Sequence, residues 1–168
     1  LSPRWMELLA HTTREAQRLG LGVDLTTGTG WPFGGPWVGD EDASSSLLLE
    51  RDPRGTLVPS AKRPIQKVKR AAPGGEGNVL DPYSVPALER YLARFDAAFE
   101  GFRGRAPRAH FHDSFEYYGA SFTPSLFTEF EARRGYDLRA ELEALAGTGP
   151  EDRANRVRSD ARETLPDL

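Results

Sequence analysis

From Thr27 to Gly39 the chain reads Thr27-Gly28-Thr29-Gly30-Trp31-Pro32-Phe33-Gly34-Gly35-Pro36-Trp37-Val38-Gly39. Neither a helix interior nor a central strand accommodates so many turn formers, so any fold must carry this segment as a loop. Its glycines allow close backbone approach, and its tryptophans offer flat faces suited to the C–H face of a sugar ring. Asp24, just upstream, is placed to accept hydrogen bonds from sugar hydroxyls. The alternative use of Trp31 and Trp37 is as apolar plugs at the end of a sheet or barrel.

The flanking segments predict the elements that present this loop. Ser2 before Pro3 is a helix start, and Trp5, Leu8, Leu9, Thr12, Ala16 and Leu19 recur at helical spacing, predicting a helix over 2–19. Leu21 to Thr26 follows as a short strand. Ser84 caps a second helix whose Leu88, Tyr91, Leu92, Phe95, Phe99 and Phe102 form one apolar stripe. Pro107 to Asp113 is predicted as the next strand. Thr123-Pro124 opens a third helix that stops at Gly135, Asp137 caps a fourth, and Thr148-Gly149-Pro150-Glu151 has capping-box spacing for a fifth. Asp52-Pro53-Arg54-Gly55 predicts the turn of a small exposed hairpin between Leu47-Leu48-Leu49 and Leu57-Val58. The order of helix, strand, loop, helix, strand and helices implies a parallel α/β fold with functional loops after its strands.

Composition narrows the chemistry. The 168 residues contain no cysteine, which removes disulfides, thiolate metal sites and cysteine nucleophiles together. Catalysis would fall to carboxylates, histidines or hydroxyls. The net charge of -3 argues against sequence-independent nucleic-acid binding, and no apolar run approaches the roughly 20 residues of a membrane helix. The chain opens on Leu1 and stops at Leu168 without tapering into polar disorder, so it is expected to be cut from something longer.

The second segment that follows a predicted strand is as unusual as the first. Ala109 to Gly119 holds His110, His112, Asp113 and Glu116 within seven positions. Strand alternation sends His110, His112 and Ser114 to one face and Phe111 and Asp113 to the other. Glu116, flanked by Phe115, Tyr117 and Tyr118, has neighbours suited to desolvate a carboxyl group, as a general acid requires. Its plainer use is to bond backbone amides in a turn. His110 and His112 at i and i+2 could ligate one metal ion, making a metal-dependent hydrolase an alternative; His11, the third histidine, lies on the first helix. Gly74-Gly75-Glu76-Gly77 lacks the ending of a phosphate-binding loop, so its glycines are expected to turn the chain or let it run close under a ligand. The basic run Lys62, Arg63, Lys67, Lys69 and Arg70 has no interleaved aromatics for base stacking.

Four blocks taken in order, Leu21 to Val38, Lys67 to Gly77, Asp113 to Ala120 and Arg133 to Leu138, resemble the catalytic domain of glycoside hydrolase family 106, the α-L-rhamnosidases. The resemblance implies the N-terminal portion of an incomplete (β/α)8 TIM-type barrel. Residues 1–168 would form a partial catalytic domain with a short variable hairpin at about 40–66. It also implies inverting hydrolysis of terminal α-L-rhamnosides in plant or microbial polysaccharides and glycosides. One carboxylic acid protonates the leaving oxygen while a second carboxylate activates water. The acid role falls on Glu116, with Asp113 orienting or tuning it, and Asp24, Trp31, Trp37 and Tyr118 line the sugar subsite. Phe115 stands where many members have tyrosine.

The family's catalytic base has no counterpart before Leu168 and is expected beyond it. No cofactor is expected of this chain itself, although the resemblance implies calcium in the full-length enzyme. Besides a rhamnoside, the partner implied is the missing C-terminal part of the same barrel. Alone, the chain is expected to be inactive and, with the face carrying Phe95 and Phe99 uncovered, prone to associate. A non-catalytic carbohydrate-binding module is the other alternative. Composition does not fix the compartment; a periplasmic or extracellular one is favoured.

Overall fold

Ser2 starts the first helix as its sequence predicts, its Oγ accepting the Trp5 N–H at 3.2 Å. In the computed structural model, which describes all 168 residues, the order is α1 (Pro3–Arg18), β1 (Asp24–Leu25), β2 (Gly34–Gly35), β3 (Ser46–Arg51), β4 (Leu57–Lys62) and β5 (Asn78–Val79). There follow α2 (Val85–Phe99), β6 (Ala109–His110), α3 (Leu126–Arg134), α4 (Leu142–Leu145) and α5 (Glu151–Thr164). Single 3-10 turns at Asp40–Asp42, Leu138–Glu141 and Leu165–Asp167 complete the chain. Ser84 caps α2 through the Ala87 N–H at 3.2 Å, and Gly135 ends α3 in the left-handed conformation at φ 78°. The capping box predicted for α5 does not form: Pro150 occupies the cap position without a side-chain bond.

No barrel is formed, which corrects the fold expected from the resemblance. The strands make three separate two-stranded sheets, β1–β6 parallel and β2–β5 and β3–β4 antiparallel, in a small mixed α/β domain with five α-helices. The strands predicted over 21–26 and 107–113 shrink to two residues each. The Arg108 N–H bonds Val23 O at 2.7 Å and the Phe111 N–H bonds Leu25 O at 2.9 Å, and the ladder ends there. Residues 107–113 include no valine, isoleucine or threonine, so little side-chain preference holds them extended, and no third strand lies alongside to extend them.

Two cores replace the single barrel interior. In the first, Val38, Leu80, Ala87, Tyr91 and Phe95 are buried, with Phe33, Trp37 and Phe99 packed against them, so the aromatic loop closes over α2. Phe95 is therefore covered rather than exposed; on α2 it is Val85 and Leu88 that face outward. In the second, Phe127, Phe130, Leu138, Leu142 and Val157 pack together. Leu47, Leu49 and Leu57 of the β3–β4 hairpin lie against them. The hairpin expected to be a small exposed excursion thus buries one face, and the Arg51 guanidinium bonds Glu143 across the junction at 2.8 and 2.9 Å.

Backbone contact between glycines joins the first two sequence blocks. Gly34 pairs with Val79, and a Cβ added to Gly34 would lie 2.2 Å from Asn78 O. One added to Gly77 would lie 2.0 Å from Gly35 O. Gly77 is thus where one backbone passes against another, while Gly74 turns the chain at φ 82°. Gly34→Ala is expected to lower the unfolding free energy by at least about 2 kcal/mol, because backbone rather than a movable side chain must give way. Gly101→Ala, with nothing within 4 Å of the added carbon, should leave stability unchanged or raise it by up to about 1 kcal/mol. Denaturant titration of the two variants checks this; equal losses would contradict the account.

Candidate functional site

The close glycine packing puts Trp31 opposite Lys69. The Trp31 N–H bonds Lys69 O at 3.0 Å, the Lys69 N–H bonds Trp31 O at 2.6 Å, and Lys69 Nζ stands 5.6 Å from the indole centroid. Half-buried, Trp31 donates from Nε1 to Ser114 Oγ at 3.2 Å. Ser114 Oγ in turn donates to Glu116 Oε1 at 3.0 Å, and the Tyr118 hydroxyl donates to Glu116 Oε2 at 2.5 Å. That bond to a carboxylate, ahead of Coulombic repulsion and burial, holds the Tyr118 phenol above its ordinary range. The first and third sequence blocks are therefore linked through Ser114 at one carboxylate, and the second reaches this cluster only through Lys69 against Trp31. The fourth builds the turn after α3, where Tyr136 packs edge-on against Phe130 at 4.9 Å.

Glu116 is half-buried and anchored through its backbone as well, its carbonyl accepting from Gln66 Nε2 at 3.2 Å. The aromatic wrapping expected around its carboxyl group is incomplete, since Phe115 and Tyr118 are each 64% exposed. Asp113 does not touch the Glu116 carboxylate; its Oδ1 accepts the Ser114 N–H at 2.7 Å, which orients the serine.

Other residues singled out in the sequence lie apart from this cluster. Trp37 packs against Tyr91 and Phe95 at 6.0 and 6.3 Å between centroids, with the Arg94 guanidinium over its ring. Asp24 is engaged by Arg108 at 2.9 and 2.6 Å, and that hydrogen bonding, more than the accompanying charge, lowers its pKa. The chain leaves strand geometry after His110, so alternation no longer governs His112. Its ring stacks on Phe33 at 5.3 Å. Nδ1–H donates to Asp113 O at 2.7 Å, and Nε2 accepts the Tyr117 hydroxyl at 3.1 Å. No three histidine, aspartate or glutamate side chains gather closely enough to hold a metal ion. No carboxylate cluster among these residues offers a site for the calcium that the resemblance implies in the full-length enzyme.

Where β1 and β6 end, a cavity of about 380 Å³ opens between α2 and the segment after His110. Asp81 lines it and is only 3% exposed. Burial pushes its pKa up, against smaller downward pulls from the Tyr83 N–H, the Thr123 hydroxyl and the Arg63 charge, while Asp42 adds to the rise. Sequence reasoning passed over this residue because the extended Val79-Leu80 that it directly follows is so short. Ser114 was likewise read only for its face, and the bond by which Trp31 reaches it spans 83 positions.

No protein-family model matches this sequence, and no curated protein matches it.

Asp81 has a measurable consequence for stability. Its folded pKa lies above the unfolded one, so the folded state holds the proton more tightly. The associated stability is fully present below about pH 3.9 and is lost as pH rises through the folded value. Asp81→Asn, with no proton to lose, should show a Tm advantage over the wild type at pH 7 that shrinks towards pH 3. The same difference at both pH values would contradict burial as the dominant cause.

Proposed function

We propose that these residues bind a terminal α-L-rhamnosyl group and that Glu116 is the general acid for its inverting hydrolysis. The observation supporting this reading is the chain of contacts from the Trp31 indole through Ser114 to Glu116, which ties a carboxyl group to the N–H edge of a half-buried indole. In the reaction proposed, the C–H face of the sugar lies on Trp31. Glu116 passes its proton to the glycosidic oxygen as the C1–O bond breaks. Water attacks C1 from the opposite face and gives its proton to a second carboxylate, which inversion places about 6.5 to 9.5 Å from the first. The resemblance to family 106 assigns that second role to none of the residues named here. Rhamnose, rather than another sugar, rests on the resemblance of the four sequence blocks to family 106.

The open setting of Glu116 favours one other reading, a non-catalytic sugar-binding surface. Its two hydroxyl donors and exposed aromatic neighbours also suit a carboxylate that only accepts hydrogen bonds from a ligand. The leaving-group dependence of catalysis separates the two. In a protein carrying these residues, Glu116→Gln should slow hydrolysis of an alkyl α-L-rhamnoside by roughly 10²–10⁴-fold. An aryl rhamnoside whose leaving group needs no proton should lose far less. Equal losses on both would contradict the acid role, and saturable rhamnose binding without turnover of either substrate would favour the binding surface.

A further inference from the structure

We propose that the cavity at the ends of β1 and β6 is a binding site for a small phenol, an aromatic ring carrying one hydroxyl donor, with Asp81 as its anchor. The cavity is separate from the cluster above: neither Glu116 nor Trp31 lines it. Its 380 Å³ falls within the range of small-molecule sites. Phe33, Phe111, Phe115, Leu88 and Leu92 supply largely apolar walls.

The polar groups of the lining decide the ligand class. Ser84 Oγ is committed to the Ala87 N–H, the Tyr117 hydroxyl to His112 Nε2, and the Tyr83 hydroxyl points to Ala120 O at 3.5 Å. Three lining side chains keep capacity. The Thr27 hydroxyl and the His110 ring make no side-chain hydrogen bond within the chain. The Asp81 carboxyl group, with Oδ1 accepting the Tyr83 N–H at 3.0 Å, has acceptor sites to spare. A pyranose would bring several hydroxyls against carbon and leave most of them unpaired, at a cost of about 1–3 kcal/mol each. One hydroxyl on an aromatic ring matches one buried carboxyl group and apolar walls. The Arg63 charge, which already acts on Asp81, disfavours a cationic ligand in the same place.

NMR titration with 2-naphthol and with naphthalene tests this directly. Saturable shifts at His110 and Phe111 are expected with both, and 2-naphthol should bind about tenfold more tightly, the worth of one hydrogen bond to a buried acceptor. Asp81→Asn retains an acceptor for the Tyr83 N–H but can turn an amide donor to the ligand, and should erase that tenfold preference. Leu88→Trp, at a position 39% exposed and able to take a larger side chain, should fill the cavity and abolish binding of both. Glu116→Gln should change neither affinity, so failure of the rhamnoside reading leaves this result standing. Absence of saturable binding to the folded wild type, equal affinities for the two compounds, or displacement of 2-naphthol by L-rhamnose would each overturn the proposal.

Discussion

Close backbone packing between Gly34 and Asn78, and between Gly77 and Gly35, is the constraint on which the rest of the arrangement depends. It is possible only because no Cβ intervenes, and it holds the aromatic loop flat against the segment from Lys67 to Leu80. Polar pins reinforce it. The Tyr91 hydroxyl, on α2, reaches both Thr27 O at 2.8 Å and Gly34 O at 3.0 Å, and burial of that phenol pushes its pKa up to about 12. Asn78, buried below, donates to Val38 O at 2.9 Å and accepts from Lys67 Nζ at 2.5 Å. The tryptophan loop is therefore a fixed layer, and Trp31 is presented from a rigid base.

From that base the two tryptophans have different fates. Trp37 turns towards α2 and joins an aromatic stack with Tyr91 and Phe95, where it contributes burial. Trp31 turns the other way, beside Lys69 and Ser114, keeping part of its ring accessible. The segment after β6 is shared in a similar manner. Ser114, Glu116 and Tyr118 bond one another on the Trp31 side. Phe111, Phe115 and Tyr117 line the cavity that contains Asp81. One short stretch of chain thus supplies a polar cluster and an apolar wall to two neighbouring spaces.

Local chemistry was the legible part of the sequence. Ser2 and Ser84 as caps, Gly135 as a helix stop and Asp52-Pro53-Arg54-Gly55 as a hairpin turn each act within a few residues, so their signals survive without tertiary information. Strand length did not share that property. Alternation over 107–113 cannot reveal whether a neighbouring strand exists to hold it, and with one partner only two residues stay paired. The same limit applied to side chains. Asp24 was free to meet a sugar as far as the sequence told, yet Arg108, 84 positions away, occupies it. Composition could not separate Trp31 from Trp37, because their orientations depend on α2 and on the segment after β6. Asp81 was overlooked because its extended segment is only two residues long.

On the proposed reading, Trp31 and Glu116 face a common ligand while Trp37 does not. The indole N–H resonances of the three tryptophans test it most directly during titration with methyl α-L-rhamnoside. The Trp31 resonance should shift saturably, and replacing Glu116 by glutamine should weaken that response, with Trp5 and Trp37 unmoved in both proteins. A Trp31 resonance that stays in place at high rhamnoside concentration, or a response led by Trp37, would contradict the account.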